Sequence, residues 1–108
     1  MRMLHATPTR NLRRILCNGL KASRSKGAVD TVWLVAPGMT GAAITHAAKR
    51  HRVHATQVSV IEVDVPRAWL RKGKRKGLWH TGGRNVPRER IKFVSGFIRI
   101  EAGNHATA

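Results

Sequence analysis

The sequence predicts a single α+β domain, for three reasons. Leu12, Ile15, Leu16 and Leu20 recur at helical spacing; residues 57–65 (QVSVIEVDV) alternate around Glu62 and Asp64 until Pro66 stops them; and 42% of the 108 residues are hydrophobic, ordinary for one small core. Two helices and about five or six strands fill this length, with the β content in the C-terminal half.

The elements follow in order. Residues 1–6 read as a first strand, and Thr9 supplies N-cap chemistry for a helix over residues 10–20. Arg10, Arg13, Arg14 and Lys21 lie off its apolar stripe, and Asn18-Gly19 stops it. Residues 22–30 are a loop. Residues 31–36 (TVWLVA), apolar and closed by Pro37-Gly38, form a buried strand. Residues 40–49 (TGAAITHAAK), capped by Thr40, form a second helix whose alanine face packs closely on a sheet and whose end is the basic cluster Lys49-Arg50-His51-Arg52. Residues 57–65 form the central strand. A helical turn over 67–70 leads into the basic run 71–77, expected as a mobile loop or turn. Residues 78–81 (LWHT) are a short strand, Gly82-Gly83 a turn, and residues 86–91 a tight turn or helical turn into a last strand over 92–101 with a bulge at Gly96.

Charge narrows the function. Lys and Arg number 21 against five acidic residues, Asp30, Glu62, Asp64, Glu89 and Glu101, a formal net charge of +16. Such a surface attracts polyanions, because each neutralised phosphate releases counterions. Nucleic acid, RNA above all, is the expected partner. General acid-base chemistry, by contrast, has few carboxylates to draw on. The one cysteine, Cys17, excludes an internal disulfide framework, and no apolar run is long enough to cross a membrane. MRMLHATPTR contains no apolar signal region, so a cytoplasmic location is expected. His46, His51, His54 and His80 with Cys17 make no recognised metal-ligand spacing, and no metal is expected.

The series of segments is more specific than any one of them. Leu4-His5-Ala6-Thr7, followed by a helix ending Ile15-Leu16-Cys17-Asn18-Gly19-Leu20, resembles the opening of the ADP-ribosyltransferase fold, where a His-Gly-Thr-like strand end precedes a helix ending in Gly-Leu. VWLV, a small-residue helix ending in KRHR, then VSVIEVDVP, GLWHT and NVPRERI together are similar to the NAD-binding lobe of the RNA 2'-phosphotransferases, over residues 4–94. Leu4 stands where that family has an arginine, and Ala6 where it has a glycine. GLWHT lacks the glutamate that diphtheria-toxin-like and poly(ADP-ribose) polymerase-like enzymes carry on the corresponding strand.

The resemblance implies a split, twisted sheet and NAD as co-substrate. It implies that His5 bonds a ribose hydroxyl, that the backbone around Ala6 holds the nicotinamide amide, and that Thr7 shapes the turn. Arg10, His46, Trp79 and Thr81 complete the implied cofactor site. Arg50 and Arg52 fall where the family grips phosphate, a task suited to the planar guanidinium fork, so the implied catalytic set is His5, Arg50 and Arg52. The plainer alternatives are a solvated strand-end histidine for His5, a dipole-favoured basic helix end for the two arginines, and a half-buried helix histidine for His46.

A hydroxyl or amide acceptor must be polarised by a carboxylate, whereas a phosphate acceptor is already an anion and needs only positioning and charge balance. A transferase fold rich in arginine and without the glutamate therefore fits transfer of ADP-ribose onto an RNA or other nucleic-acid phosphate. The alternatives are a non-catalytic nucleic-acid-binding module on the same fold and a small toxin-like ADP-ribosyltransferase. Arg71, Lys72, Lys74, Arg75 and Lys76, flanked by glycines, are the candidate nucleic-acid contacts, against a merely solvated loop. Trp33, Trp69 and Trp79 could stack on bases, but their apolar surroundings favour core burial.

Overall fold

The computed structural model describes residues 1–24 and 31–96. Along the chain lie β1 (Arg2–Pro8), α1 (Leu12–Asn18), β2 (Trp33–Val35), α2 (Thr40–His51), β3 (Val58–Asp64), β4 (Arg71–Lys72), β5 (Leu78–His80) and β6 (Ile91–Gly96). The α+β class with two helices holds. The six strands form an antiparallel sheet in the order β4-β5-β2-β1-β3-β6.

Pairing along this sheet is uneven. β1 runs against β3 through seven successive pairs, from Arg2↔Asp64 to Pro8↔Val58. Against β2 it has one, Leu4↔Val35. The sheet is thus two three-stranded halves, β4-β5-β2 and β1-β3-β6, joined at a single residue pair.

Alternation sends Met3, Ile61 and Val63 to one face, where they pack with Leu12 and Ile15 from the α1 segment and with Leu20, Leu34, Val65 and Val86. Met3, Leu34, Ile61 and Val63 are wholly buried, each contributing about 1.5–3 kcal/mol by leaving water. The opposite face, with Leu4 and Val60, receives α2, whose buried residues Ala43 and Ala47 let its backbone approach closely. β3 lies inside the sheet between β1 and β6, and apolar residues on both its faces explain why its run breaks phase at Val60-Ile61.

Several expectations need correction. Thr9 does not cap α1: it opens a 3-10 turn over Thr9–Asn11, and its Oγ1 lies 2.7 Å from Ser59 Oγ. Helix α1 begins only at Leu12, so Leu16, about 100° round from Ile15, faces solvent at 45% exposure. Thr40 is the first residue of α2 and Met39 its cap, without a side-chain capping bond. Gly19 does stop α1, with φ 78° and its N–H on the Ile15 carbonyl. The run 71–77 is not one loop. Arg71 and Lys72 pair with His80 and Trp79, making a hairpin whose turn is residues 73–77. Gly77 closes it with φ 81°, and a Cβ there would meet the sulfur of the Met39 side chain. The bulge is on β6 at Lys92, which has no partner opposite Glu62 and Val63 of β3, while Gly96 pairs regularly with Ser59. Residues 25–30 of the expected loop and 97–101 of the expected last strand lie outside the described residues.

Candidate functional site at the fork of the sheet

Beyond Leu4↔Val35, β1 and β2 stop pairing and His5 bridges them. Its Nδ1 lies 2.8 Å from the main-chain carbonyl of Trp33. A carbonyl only accepts, so Nδ1 carries the hydrogen and donates, and in the neutral ring Nε2 is left as an acceptor. Nε2 has no hydrogen-bond partner among the described residues. Burial lowers the His5 pKa below the ordinary histidine value, partly offset by the Trp33 carbonyl, which favours the charged form. The result is a neutral, oriented imidazole with one lone pair to offer, on the strand that also carries Ala6 and Thr7.

A second histidine stands across the fork. Trp33 and His80 are cross-strand partners, their rings 5.0 Å apart between centroids and inclined at 54°. The N–H of Gly82 donates to His80 Nδ1 at 3.1 Å, so a neutral His80 carries its proton on Nε2. Below it Thr31 and Thr81 tie the β2 and β5 ends together. Thr81 Oγ1 donates to the Arg84 carbonyl at 2.5 Å and accepts from Val32 N–H at 3.3 Å, while Thr31 Oγ1 accepts from Gly83 N–H at 3.1 Å. Hydrogen bonds thus tie this side of the fork together.

The remaining candidate residues do not all gather here. Thr7 is buried and accepts from Asn11 Nδ2 at 3.4 Å; Thr81 is buried in the bonds just described; Trp79 pairs with Leu34 and packs against the core. Their hydrogen bonds and packing are accounted for by the fold. Arg10 is exposed just past the Pro8 end of β1. His46 is exposed on α2, not half-buried, and so is Arg50. Arg52 is the C-cap of α2 and the one non-glycine among the described residues with positive φ, at 56°. Because α2 leads through residues 53–57 into Val58, opposite Pro8, Arg10, Arg50 and Arg52 belong to the same end of the sheet.

Acids are scarce and engaged. The Asp64 carboxylate lies 2.8 Å from the N-terminal ammonium, whose hydrogen bond and charge hold its pKa below the usual value; Glu62 lies 3.7 Å from Arg2 and Glu89 3.5 Å from Arg88. Glu62 pairs with Leu4 at the root of the fork, and its carboxylate is the one that faces Arg2. No cluster of metal-ligating side chains and no helix long and apolar enough to cross a membrane occurs among the described residues.

The basic hairpin keeps its cations outward. Arg71, Lys72, Lys74, Arg75 and Lys76 are all exposed, and the Gly77 carbonyl accepts from Ala36 N–H at 3.0 Å, pinning the turn beside the start of α2. Between that helix start and the sheet is a hollow of about 180 Å³ lined by Arg2, Leu4, Thr40 and Glu62 among others.

Sequence reasoning missed the Trp33–His80 pair and the arginines around Trp69. Arg84 and Arg90 lie 4.7 and 5.3 Å from the centroid of that ring. Their spacing matches neither a helix nor a strand, so the chain carries no periodic signal of their meeting. No protein-family model matches the chain, and no curated protein does.

Proposed function

We propose that the protein binds NAD and transfers ADP-ribose onto a nucleic-acid phosphate, in the manner of RNA 2'-phosphotransferases and on an ADP-ribosyltransferase-like fold. The observation that carries this is His5 at the fork: a half-buried, neutral imidazole with Nδ1 spent on Trp33 and Nε2 without a hydrogen-bond partner among the described residues. An acceptor nitrogen in that setting calls for a donor from outside the chain, and a ribose hydroxyl is one. The sheet joined at one pair is consistent with the split sheet of that fold.

NAD supplies an ADP-ribosyl group by losing nicotinamide through an oxocarbenium-like transition state. His5 orients the sugar by accepting its hydroxyl hydrogen, and being neutral it adds no charge against the developing cation. Ala6, with its small side chain beside the open stretch of β1, leaves room for the amide. Arg10, Arg50 and Arg52 supply positive charge at the Pro8 end of the same strand for the anionic acceptor. The described carboxylate nearest in register to the fork, Glu62, is engaged by Arg2, which suits an acceptor that is already ionised and needs no base.

A non-catalytic nucleic-acid-binding module is the second reading, favoured by the exposure of Arg50 and His46 on α2 and by the structural bonds that absorb Thr7 and Thr81. Calorimetric titration with NAD separates the two: binding below millimolar is expected, and its absence leaves only the module. Incubation with NAD and a 2'-phosphorylated RNA then reads the acceptor. ADP-ribose joined to the RNA through its 2'-phosphate as nicotinamide leaves, or released with that phosphate once the neighbouring hydroxyl of the transferred ribose attacks phosphorus and expels the RNA 2'-oxygen, is the expected result; ADP-ribose on a base or hydroxyl of the RNA with the 2'-phosphate unmodified would refute the phosphate-acceptor reading.

A further inference from the structure

Three arginines, Arg71, Arg84 and Arg90, gather near Trp69 without an ion pair among the described residues, although the Asp64 carboxylate lies within electrostatic reach of Arg90. Arg84 and Arg90 both lie against the indole ring. Arg90 Nη1 donates to the Asp64 carbonyl at 3.4 Å, and Arg71 Nη1 donates to the carbonyls of Ala68 and Leu70 at 2.9 and 3.3 Å. The stem of Arg71 also crosses Gly82, where a Cβ would lie 3.5 Å from its Cγ. None of the three forms an ion pair among the described residues, whose carboxylates are engaged by the N-terminus, Arg2 and Arg88.

Holding like charges close without a counter-ion is unfavourable, more so beside a half-buried ring that excludes water. Between these side chains opens a hollow of about 340 Å³, walled by Trp69, Arg71, Thr81, Gly82 and Arg84. A guanidinium stacked on an indole keeps its in-plane N–H groups free at the edge, the geometry that forks onto two oxygens of a phosphate. With Arg84 already over the ring, the hollow offers charge and donors more than a stacking platform for a base.

We infer that this hollow binds a backbone phosphate of an RNA strand, Arg84 and Arg71 forking onto its oxygens while Trp69 holds Arg84 in plane and Arg90 adds charge beside it. It is a contact separate from the basic hairpin turn and from the fork. It rests on the proposed function only in taking nucleic acid as the partner, and is independent of NAD.

The test is anisotropy of a short fluorescein-labelled single-stranded RNA over a salt series, with Arg84→Gln and Arg71→Gln beside Arg13→Gln, an exposed α1 arginine that removes the same charge. Each hollow variant is expected to weaken binding roughly 5- to 10-fold and to lower the salt slope by about 0.7, with Arg13→Gln within about twofold of the parent. Equal losses in all three would reduce the effect to net charge and overturn the site. Arg84→Lys keeps the charge but not the fork, so it guards against a folding defect. With an unchanged melting temperature it should still bind more weakly than the parent, and full affinity would overturn the forked contact. Adenosine monophosphate added as competitor distinguishes a strand from a free nucleotide: the strand should stay bound, and displacement at equimolar nucleotide reassigns the hollow. NAD titration of Arg84→Gln should match the parent, so a failed NAD reading and a failed phosphate site are told apart.

Discussion

His5 donates from Nδ1 to the Trp33 carbonyl across 2.8 Å, at the point where β1 and β2 part. The imidazole thus stands where a ladder hydrogen bond would otherwise join the strands, and it does so in its neutral form. Because burial lowers its folded pKa, the unfolded chain takes up a proton first as the pH falls. The stability this group contributes is complete above its unfolded value, about 6.5, and is lost as the pH drops through the folded one. Thermal melts from pH 7.5 to 5 should show falling stability, and His5→Asn, whose amide can make the same Nδ donation, should flatten that slope. An unaltered slope in the variant would place the pH dependence elsewhere.

The same variant tests the fork as a binding site. It keeps the strand-bridging donor and removes the Nε2 acceptor, so NAD affinity by calorimetry should fall roughly tenfold, the loss of about one hydrogen bond, with the fold retained. Parent-like affinity would mean that Nε2 is not the contact.

Arg52 occupies a left-handed cap at φ 56°, a position where glycine is preferred. Arg52→Gly should raise stability to urea by about 0.5–1 kcal/mol. If the arginine is kept for phosphate, the more stable variant should transfer ADP-ribose more slowly, with little change in NAD affinity. Parent-like turnover would assign Arg52 to the helix end alone.

Gly19 is required by space and by conformation together. A Cβ there would collide with the Val86 carbonyl oxygen and lie 2.8 Å from Arg88 N, at φ 78° and ψ −175°. Gly19→Ala should cost more than about 2 kcal/mol in denaturant unfolding. A smaller loss would show that residues 86–88 move aside.

Replacing Lys74, Arg75 and Lys76 with serine removes three exposed cations from the hairpin turn. For a single strand the slope of log affinity against log salt should flatten by about two. No flattening would show that the turn stays in solvent when RNA binds.

Most of the architecture was legible because it depends on local signals: the Ala-rich run gave α2, the stop at Pro66 gave the end of β3, and Gly19 gave the end of α1. Thr9 misled because a nearby strand offered Ser59 as a better partner than the helix start. The basic run looked like a loop because exposed edge residues such as Arg71 and Lys72 carry no apolar alternation, and their strand exists only by pairing with β5. His5 was legible as a candidate. Its hydrogen bond to Trp33, which fixes the tautomer, was not, since nothing local links residues 28 apart. Arg84, Arg90 and Trp69 meet for the same long-range reason.

The pairing of β1 also dictates how the chain must be made. Residues 9–57 separate even its closest partners across β3, Pro8 and Val58, and the strand that emerges sooner, β2, offers it one pair. On the ribosome Met3 and Leu4 therefore wait without their main neighbour until residues 62 and 63 have been synthesised. Closing so long a loop carries its entropy cost before any ladder forms, so assembly is gated by the arrival of β3, and not built strand by strand from the N-terminus.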